Sequence, residues 1–315
     1  MHAQGRPDQS NRKSANSCHV DAALSLWEVA VSHTRSLHGV SAPLPGIAND
    51  TESTLGRALA AWYGAREEVV VGVTPLVSAV RTMLRARDSV RQEVLIANGE
   101  QDPRGMVRMG AADENLNLFL RALNRRGEGA PETLAVAQRN SCGCFQACLS
   151  LRRRGLPVSV DAIAEAGGDV LAAFTRVHLT PGELVACANC GVESHTVPVF
   201  AKSQRDLWVE RGCAGFPWLL LVQVSNSLPG SPPFSLRADE LHTLVVDGLT
   251  VRLRLLGVVL YRGAHFWARV RRAAVWVQYD GLENNGIGVA TAAPTGNPLL
   301  DHGARVVAIV YGKEA

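Results

Sequence analysis

Residues 263–280 read GAHFWARVRRAAVWVQYD, two runs rich in aromatic and β-branched residues that are separated by a short turn. Such runs are typical of β-strands, and the short break between them is typical of a hairpin. His265 stands at the start of the first strand, and Asp280 stands at the end of the second. Because the two outer ends of a hairpin lie side by side, we expect the Asp280 carboxylate to reach the His265 imidazole.

Cys18 lies in a second informative segment, residues 16–33. Apolar residues recur there at helical spacing, with Asn16 or Ser17 as the N-cap and Asp21 in the first turn. A thiol at a helix N-terminus meets unpaired N–H groups and the positive end of the helix dipole, so we expect a lowered pKa for Cys18. Taken alone, such a cysteine is more often a small buried residue of a core helix.

Cys18, His265 and Asp280 follow one another in the chain order thiol, imidazole, carboxylate. A thiol protease requires a thiolate nucleophile, a histidine that accepts the thiol proton, and a third group that orients the imidazole. The three residues together are therefore more specific than any one of them.

Composition bounds the class of protein. Of 315 residues, 47% are hydrophobic and 19% are charged, as in a globular chain. The net charge is +3 and the arginines are spread along the chain, so we expect no nucleic acid partner. Residues 1–8 lack an apolar run and the longest apolar runs are too short to span a bilayer, so we expect neither a signal peptide nor a membrane segment.

The cysteine count bears on the compartment. Seven cysteines, an odd number with no signal peptide, indicate reduced thiols. We therefore expect an intracellular location, cytoplasmic or nuclear, or a host cytosol if the protein is a delivered effector.

The chain changes character near residue 180. A mostly helical half followed by an antiparallel sheet predicts an α+β fold. Helices are predicted near 53–62, 76–85, 114–124, 132–138, 144–152 and 160–166, and strands near 185–191, 218–224, 242–246, 251–261, 265–270, 274–279 and 305–311.

Four segments resemble the ubiquitin-specific protease superfamily. Asn16-Ser17-Cys18 resembles the family's Asn-Thr-Cys, and residues 263–270 resemble its Gly-Gly-His-Tyr-x-Ala-Tyr-Val. Residues 276–280 resemble its Trp-Tyr-x-Phe-Asp, and residues 306–311 resemble its last strand, Ala-Tyr-x-Leu-Phe-Tyr. The Cys-x-x-Asp spacing that ends at Asp21, together with the compact length, is closer to the divergent SUMO-directed branch.

The resemblance implies a papain-like α+β fold in one domain over residues 1–315. A flexible segment, 1–16, would precede a helical thumb, 17–178, reduced β fingers, 179–215, and an antiparallel β palm, 216–315. The chain would act as a monomer on ubiquitin or a ubiquitin-like modifier, SUMO or similar, and on its conjugates, without a cofactor for catalysis. Cys18 would be the nucleophile, His265 the general base and Asp280 the orienting acid, with hydrolysis of an isopeptide bond through a thioester.

The chain departs from the family pattern at three places. Lys13 stands where the family has an oxyanion-hole Asn or Gln, so Asn16, Asn11 or backbone N–H groups would have to serve. Gly281 replaces a second aspartate, and His19 replaces the aromatic residue after the nucleophile. Lys13 and the missing second aspartate favour an alternative, a catalytically weak or inactive relative that only binds the modifier, whereas the intact Cys18, His265 and Asp280 favour the enzyme. A third possibility is a papain-like hydrolase or acyltransferase with a small-molecule substrate.

The third member of the site has alternatives. Asn284 and Asn285 follow Asp280 closely, and papain-like enzymes often use asparagine in this role. The position of Asp280 within the resembling segment favours the aspartate.

A separate cysteine pattern predicts a metal site. Cys187 and Cys190 form a Cys-x-x-Cys-Gly knuckle, the half-site of structural zinc. His195 and Cys213 would complete a Cys₃His set, and the alternatives are a relic half-site without metal or a redox dithiol. Helix packing is the favoured interpretation for a further group, Cys142, Cys144 and Cys148.

Overall fold

A computed structural model describes most of the helices and strands of the chain. The described residues are 18–37, 54–71, 76–97, 112–123, 135–140, 142, 156–181, 183–201, 219–225, 236, 241–246, 249–281, 288–292 and 304–314. The helices are α1 (Cys18–Leu37), α2 (Thr54–Val71), α3 (Leu76–Ala97), α4 (Ala112–Leu123), α5 (Val160–Glu165) and α6 (Val170–Phe174), which a π-helical turn, Thr175–Leu179, extends.

The described strands form two sheets. They are β1 (Ala135–Asn140), β2 (Leu156–Ser159), β3 (Leu184–Ala186), β4 (Glu193–Ala201), β5 (Leu219–Ser225), β6 (Leu241–Val246), β7 (Leu249–Arg262), β8 (His265–Arg272), β9 (Val275–Tyr279), β10 (Val289–Thr291) and β11 (Arg305–Lys313). The larger, eight-stranded sheet has the order β10-β9-β8-β7-β11-β5-β2, with β6 also paired to β7. The smaller, three-stranded sheet has the order β1-β4-β3.

The larger sheet is almost wholly antiparallel, with β2 and β5 as its parallel pair. The turn between β7 and β8 consists of Gly263 and Ala264, whose φ angles are 56° and 68°. Positive φ at both positions is the geometry of a tight type I′ hairpin turn. This turn fixes His265 as the first residue of β8, opposite Arg262.

Helix α1 is enclosed by the rest of the molecule. It contacts β7, β8, β9 and β11 on one side and α3 and α4 on the other. Its side chains are buried around the whole helix, from Cys18 through Trp27 to Val31, as expected of a helix that lies inside a core. The opposite face of the large sheet packs against α5 and α6, so the sheet lies between two apolar cores.

The α+β fold is as predicted, but several elements differ. The predicted helix at 132–138 is wrong, because residues 135–140 form β1, which pairs with β4. Alanines favour a helix locally, and pairing with a distant strand overrides that preference. The predicted helix at 144–152 lies outside the described residues, and the division into thumb, fingers and palm stays a prediction. Within the described parts of the chain, no helix is long and apolar enough to cross a membrane.

Candidate active site

The hairpin β8–β9 brings His265 and Asp280 together. Ala268 pairs with Tyr279, so the residue after β9 lies beside the start of β8. His265 Nε2 and Asp280 Oδ1 are 2.8 Å apart, which is a hydrogen bond in which Nε2–H donates to the carboxylate. Trp267 stacks on the imidazole with ring centroids 5.8 Å apart. The imidazole is therefore held both by a buried carboxylate and by an aromatic face.

The other ring nitrogen of His265 is available for chemistry. Nδ1 is buried and has no hydrogen-bond partner among the described residues. With Nε2–H donating to Asp280, Nδ1 carries the lone pair that accepts a proton. The pair therefore has the form of a base whose tautomer is set by an acid.

Cys18 is the first residue of α1 and is 8% exposed. Burial raises the pKa of its thiol, and the Asp21 carboxylate raises it further. The backbone N–H groups of Phe266, His19 and Cys18 itself act in the opposite direction but do not offset burial. The expected lowering of the pKa is therefore wrong, because tertiary packing around the thiol outweighs the helix terminus. The resting form at neutral pH is the thiol.

The thiol lies directly beside the strand that carries the base. Its hydrogen bond from the Phe266 N–H reaches the residue that follows His265. His19 fills the position next to the thiol, and its ring packs edge to face on Phe266 with centroids 6.3 Å apart. The His19 ring thus packs on Phe266 at the position where the resembling family has an aromatic residue.

The predicted oxyanion-hole residues lie outside the described part of the chain. This applies to Lys13, Asn16 and Asn11, and also to Asn284 and Asn285 as alternatives to Asp280. Among the described residues, the donors around the thiol are the backbone N–H groups of Cys18, His19 and Phe266.

Two charged residues, Asp21 and Arg91, lie next to the site, and neither is placed there by the sequence patterns. Asp21 approaches Gly281, the residue after Asp280, and Arg91 on α3 binds the Asp21 carboxylate. Arg91 lies beyond the predicted end of its helix, and only the packing of α3 on α1 brings it here. A signal for Arg91 exists in the sequence only if the helix is extended to residue 97, because Arg91 then falls next to the apolar residues Val90 and Val94.

A second group of thiols lies at the edge of the smaller sheet. The sulfur atoms of Cys142, Cys187 and Cys190 all lie within 4.8 Å of one another. Cys142, for which the sequence favours helix packing, follows β1 closely, and Cys187 directly follows β3. His195 lies in β4 opposite Leu184, is exposed, and does not join this group. Cys213 lies outside the described residues.

The knuckle itself is shaped to hold a thiolate. The Gly191 N–H donates to the Cys187 carbonyl at 2.8 Å, and Gly191 has a φ of 70°, which closes the turn. The N–H groups of Asn189 and Cys190 lower the pKa of the Cys187 thiol to about 6. Three converging sulfurs with one easily ionised suit the ligand chemistry of zinc, which takes four ligands in structural sites.

Comparisons with known proteins establish the fold. No family model and no curated protein matches the chain. The Saccharomyces cerevisiae Pan2 pseudoubiquitin hydrolase–RNA exonuclease module, solved in complex with AAUUAA RNA, matches at a TM-score of 0.56 and 10% identity over 93% of this chain and 51% of that chain. The same module with AAGGAA RNA matches at 0.54, also at 10% identity, over 93% and 51%. The chain therefore spans about half the length of the yeast module that it matches.

A papain-like protease of MERS coronavirus matches at a TM-score of 0.38, which is too low to support a conclusion. The chain has a mixed α+β fold similar to part of the yeast pseudoubiquitin hydrolase module. Identities of this size define the fold alone, so the SUMO-directed branch stays a prediction.

Proposed function

We propose that the chain is a cysteine isopeptidase that removes ubiquitin or a ubiquitin-like modifier from its conjugates. One observation carries the proposal: the hydrogen bond of 2.8 Å between His265 Nε2 and Asp280 Oδ1, made beside a thiol that accepts from the next backbone N–H. Nucleophile, base and orienting acid are the parts that acyl transfer by a cysteine requires.

The first half-reaction begins from a neutral thiol. His265 Nδ1 accepts the thiol proton as the Cys18 sulfur attacks the carbonyl carbon of the modifier's C-terminal glycine. Asp280 stabilises the imidazolium that forms, because Nε2–H already donates to it. The negative charge moves to the carbonyl oxygen, where the backbone N–H groups around the thiol are the available donors.

The isopeptide bond then breaks. Nδ1–H gives its proton to the leaving lysine amine, and the modifier remains as a thioester on Cys18. A water molecule loses a proton to Nδ1 and attacks the thioester carbon. The carbon–sulfur bond breaks, the sulfur takes the proton back, and the modifier leaves as a free carboxylate.

A panel of electrophilic probes tests this activity. Ubiquitin, SUMO and NEDD8, each with a C-terminal electrophile in place of the glycine carboxylate, are incubated in parallel with the purified chain. The expected result is a stable adduct with at least one of them, and the modifier that reacts fastest identifies the substrate class. A folded chain that forms no adduct with any of the three would overturn the proposal.

A second function, binding of the modifier without hydrolysis, is favoured by a specific observation. Burial and the Asp21 carboxylate both hold the Cys18 thiol in its unreactive neutral form. The yeast module of similar fold is itself named a pseudoubiquitin hydrolase. An inactive relative would bind one of the probes reversibly but would leave the thiol unmodified.

We propose that the smaller sheet carries a structural zinc. Cys142, Cys187 and Cys190 supply three ligands, and the fourth comes from Cys144 or Cys213, which lie outside the described residues. His195 in β4 is a less favoured ligand, because it lies outside the group of three sulfurs. The metal would join the ends of β1 and β3 and would take no part in the reaction.

We also propose a monomer in a reducing, cytosol-like compartment, in line with the odd number of cysteines, seven. The yeast module was solved in complex with RNA. The nearly balanced charge of the present chain, +3 overall, does not favour nucleic acid as a partner.

A further inference from the structure

Gly281 has no room for a side chain. A Cβ built on it would overlap Oδ2 of Asp21 and would lie 3.2 Å from the Asp21 Cγ. Gly281 directly follows Asp280, so the Asp21 carboxylate lies against the backbone that carries the orienting acid. A glycine is therefore required here by a close approach between two parts of the chain.

The Asp21 side chain is fixed from the opposite side by Arg91. Arg91 Nε–H donates to Asp21 Oδ1 at 3.0 Å, and its Nη2–H donates to Oδ2. The arginine side chain is 7% exposed and the aspartate side chain is 11% exposed. A two-pronged contact between a planar guanidinium and a carboxylate specifies orientation as well as contact. Because both side chains are almost buried, water competes little for the Arg91–Asp21 contact, and the Asp21 carboxylate has one preferred position.

Asp21 also lies one helical turn after Cys18, on the same side of α1. Contacts therefore run from α3, through Arg91 and Asp21, to the residue after Asp280. They connect the helix that starts at the thiol with the strand end that carries the acid. Asp21, Asp280 and Gly281 line one small cavity of about 20 Å³, which has room for roughly one water molecule. A displaced Asp21 side chain has little free space to enter.

We propose that Asp21, held by Arg91, is a positioning residue that occupies the space beside Gly281 and keeps the Asp280 carboxylate on His265. The catalytic consequence of this role rests on the function proposed above, but the structural consequence does not. Asp21 itself touches neither the isopeptide bond nor the imidazole in this assignment.

A double-mutant cycle tests the contact. Gly281→Ala forces the Asp21 carboxylate away, so we expect kcat to fall about tenfold with KM nearly unchanged, as for a misplaced catalytic group. Asp21→Ser leaves space for a methyl group at residue 281. In that background Gly281→Ala should change kcat less than about twofold, because contacting residues are not additive. Effects that simply multiply would overturn the proposal.

A spectroscopic measurement separates this proposal from the proposed function. The His265 Nε2–H proton, hydrogen-bonded to a carboxylate, should resonate far downfield in NMR spectra of protein labelled with ¹⁵N-histidine. We expect that signal in the wild type and its loss in both Asp21→Ser and Gly281→Ala, because each variant removes the Asp21 carboxylate from the space beside Gly281. A wild type that keeps this pattern but reacts with no probe would refute the activity alone. A signal that is the same in all variants, or absent in all, would refute the positioning role.

Asp88 provides the matched control. Its carboxylate accepts from Nη1 of the same Arg91 at 2.9 Å, but its side chain is 61% exposed and does not line the cavity that Asp21, Asp280 and Gly281 share. Asp88→Asn should leave kcat and the NMR signal unchanged. If this variant lowered kcat as much as Asp21→Ser does, a general effect on α3 would explain both, and the specific role of Asp21 would be refuted.

Discussion

Cys18 and Cys187 are both buried thiols that accept backbone hydrogen bonds, yet their acidities move in opposite directions. Cys18 is 8% exposed, and burial raises the pKa of its thiol despite three N–H donors. Cys187 is 2% exposed, and the N–H groups of Asn189 and Cys190 lower its pKa to about 6. The outcome therefore depends on which contribution is larger, and a hydrogen-bonding loop alone does not guarantee a thiolate.

The difference suits two kinds of chemistry. A thiol that stays neutral at rest reacts only when a base takes its proton, so its reactivity depends on His265 and Asp280. A thiol that ionises near neutrality without a base is suited to bind a cation. The candidate active site and the knuckle thus each use a thiol, neutral at Cys18 and readily ionised at Cys187.

The largest effect is expected at Cys18 itself. Cys18→Ala should abolish adduct formation with the modifier probe, because Cys18 is the nucleophile in the proposed assignment. Mass spectrometry of the intact protein measures the adduct, and Cys187→Ser is the control that should still react. Labelling that persists in Cys18→Ala and maps to Cys142, Cys144 or Cys148 would contradict the assignment.

The acidities of the two thiols should differ by more than about a thousandfold, since the pKa of Cys187 is about 6 and that of Cys18 lies above its ordinary value of 9.0. As pH rises, the metal-free protein should first gain a thiolate near pH 6 and gain the Cys18 thiolate only above pH 9. Thiolate absorbance near 240 nm measures both steps.

Variants assign each step of that titration. Cys187→Ser should remove the step near pH 6, and Cys18→Ala should remove only an alkaline step. If Cys18→Ala instead removed the low step, the two environments would be the reverse of those described here.

The orienting acid is expected to matter by at least about tenfold in kcat, because a neutral thiol needs a well-oriented base. Asp280→Ala removes the acceptor for His265 Nε2–H, whereas Asn285→Ala should have a smaller effect. Steady-state cleavage of a fluorogenic modifier substrate measures both. The opposite ranking would move the third role to Asn285.

The sequence predicts the hairpin that carries His265 and Asp280 better than it predicts the pKa of the Cys18 thiol. Alternating apolar residues and a count along residues 265–280 are enough to place His265 beside Asp280, because strand register is a local property. The pKa of Cys18 depends on the packing of α1 against a sheet that is far away in sequence, so the local rule for helix termini gives the wrong sign.

The residues that sequence reasoning missed share one cause. Cys142 reaches the knuckle because β1 pairs with β4, and β1 lies where alanine suggests a helix. Arg91 reaches Asp21 because α3 packs against α1. Both contacts join segments far apart in the chain, and no spacing rule within either segment records them.

The smallest effect on activity is expected from the metal. If the three sulfurs form a zinc site, protein purified without chelator should carry about one zinc per chain, since structural sites bind a single four-coordinate ion. Cys142→Ser should reduce the zinc content as strongly as Cys187→Ser, because both sulfurs belong to the same group. His195→Ala should retain the metal, and this variant separates the observed cluster from the Cys₃His set that the sequence predicts.

Loss of the metal should lower stability and leave the chemistry intact. The melting temperature should fall by about 2–4 °C for each kcal/mol of binding free energy that is lost, whereas kcat should stay within about twofold. Activity should persist because the Cys187 thiolate would bind the metal at the smaller sheet, whereas the Cys18 thiol gives its proton to His265 in the proposed reaction. A zinc content near zero, with unchanged melting in Cys187→Ser, would mean that the knuckle is a relic. In that case Cys187, whose pKa is about 6, would still ionise near neutral pH, but as a buried thiolate with no metal to bind.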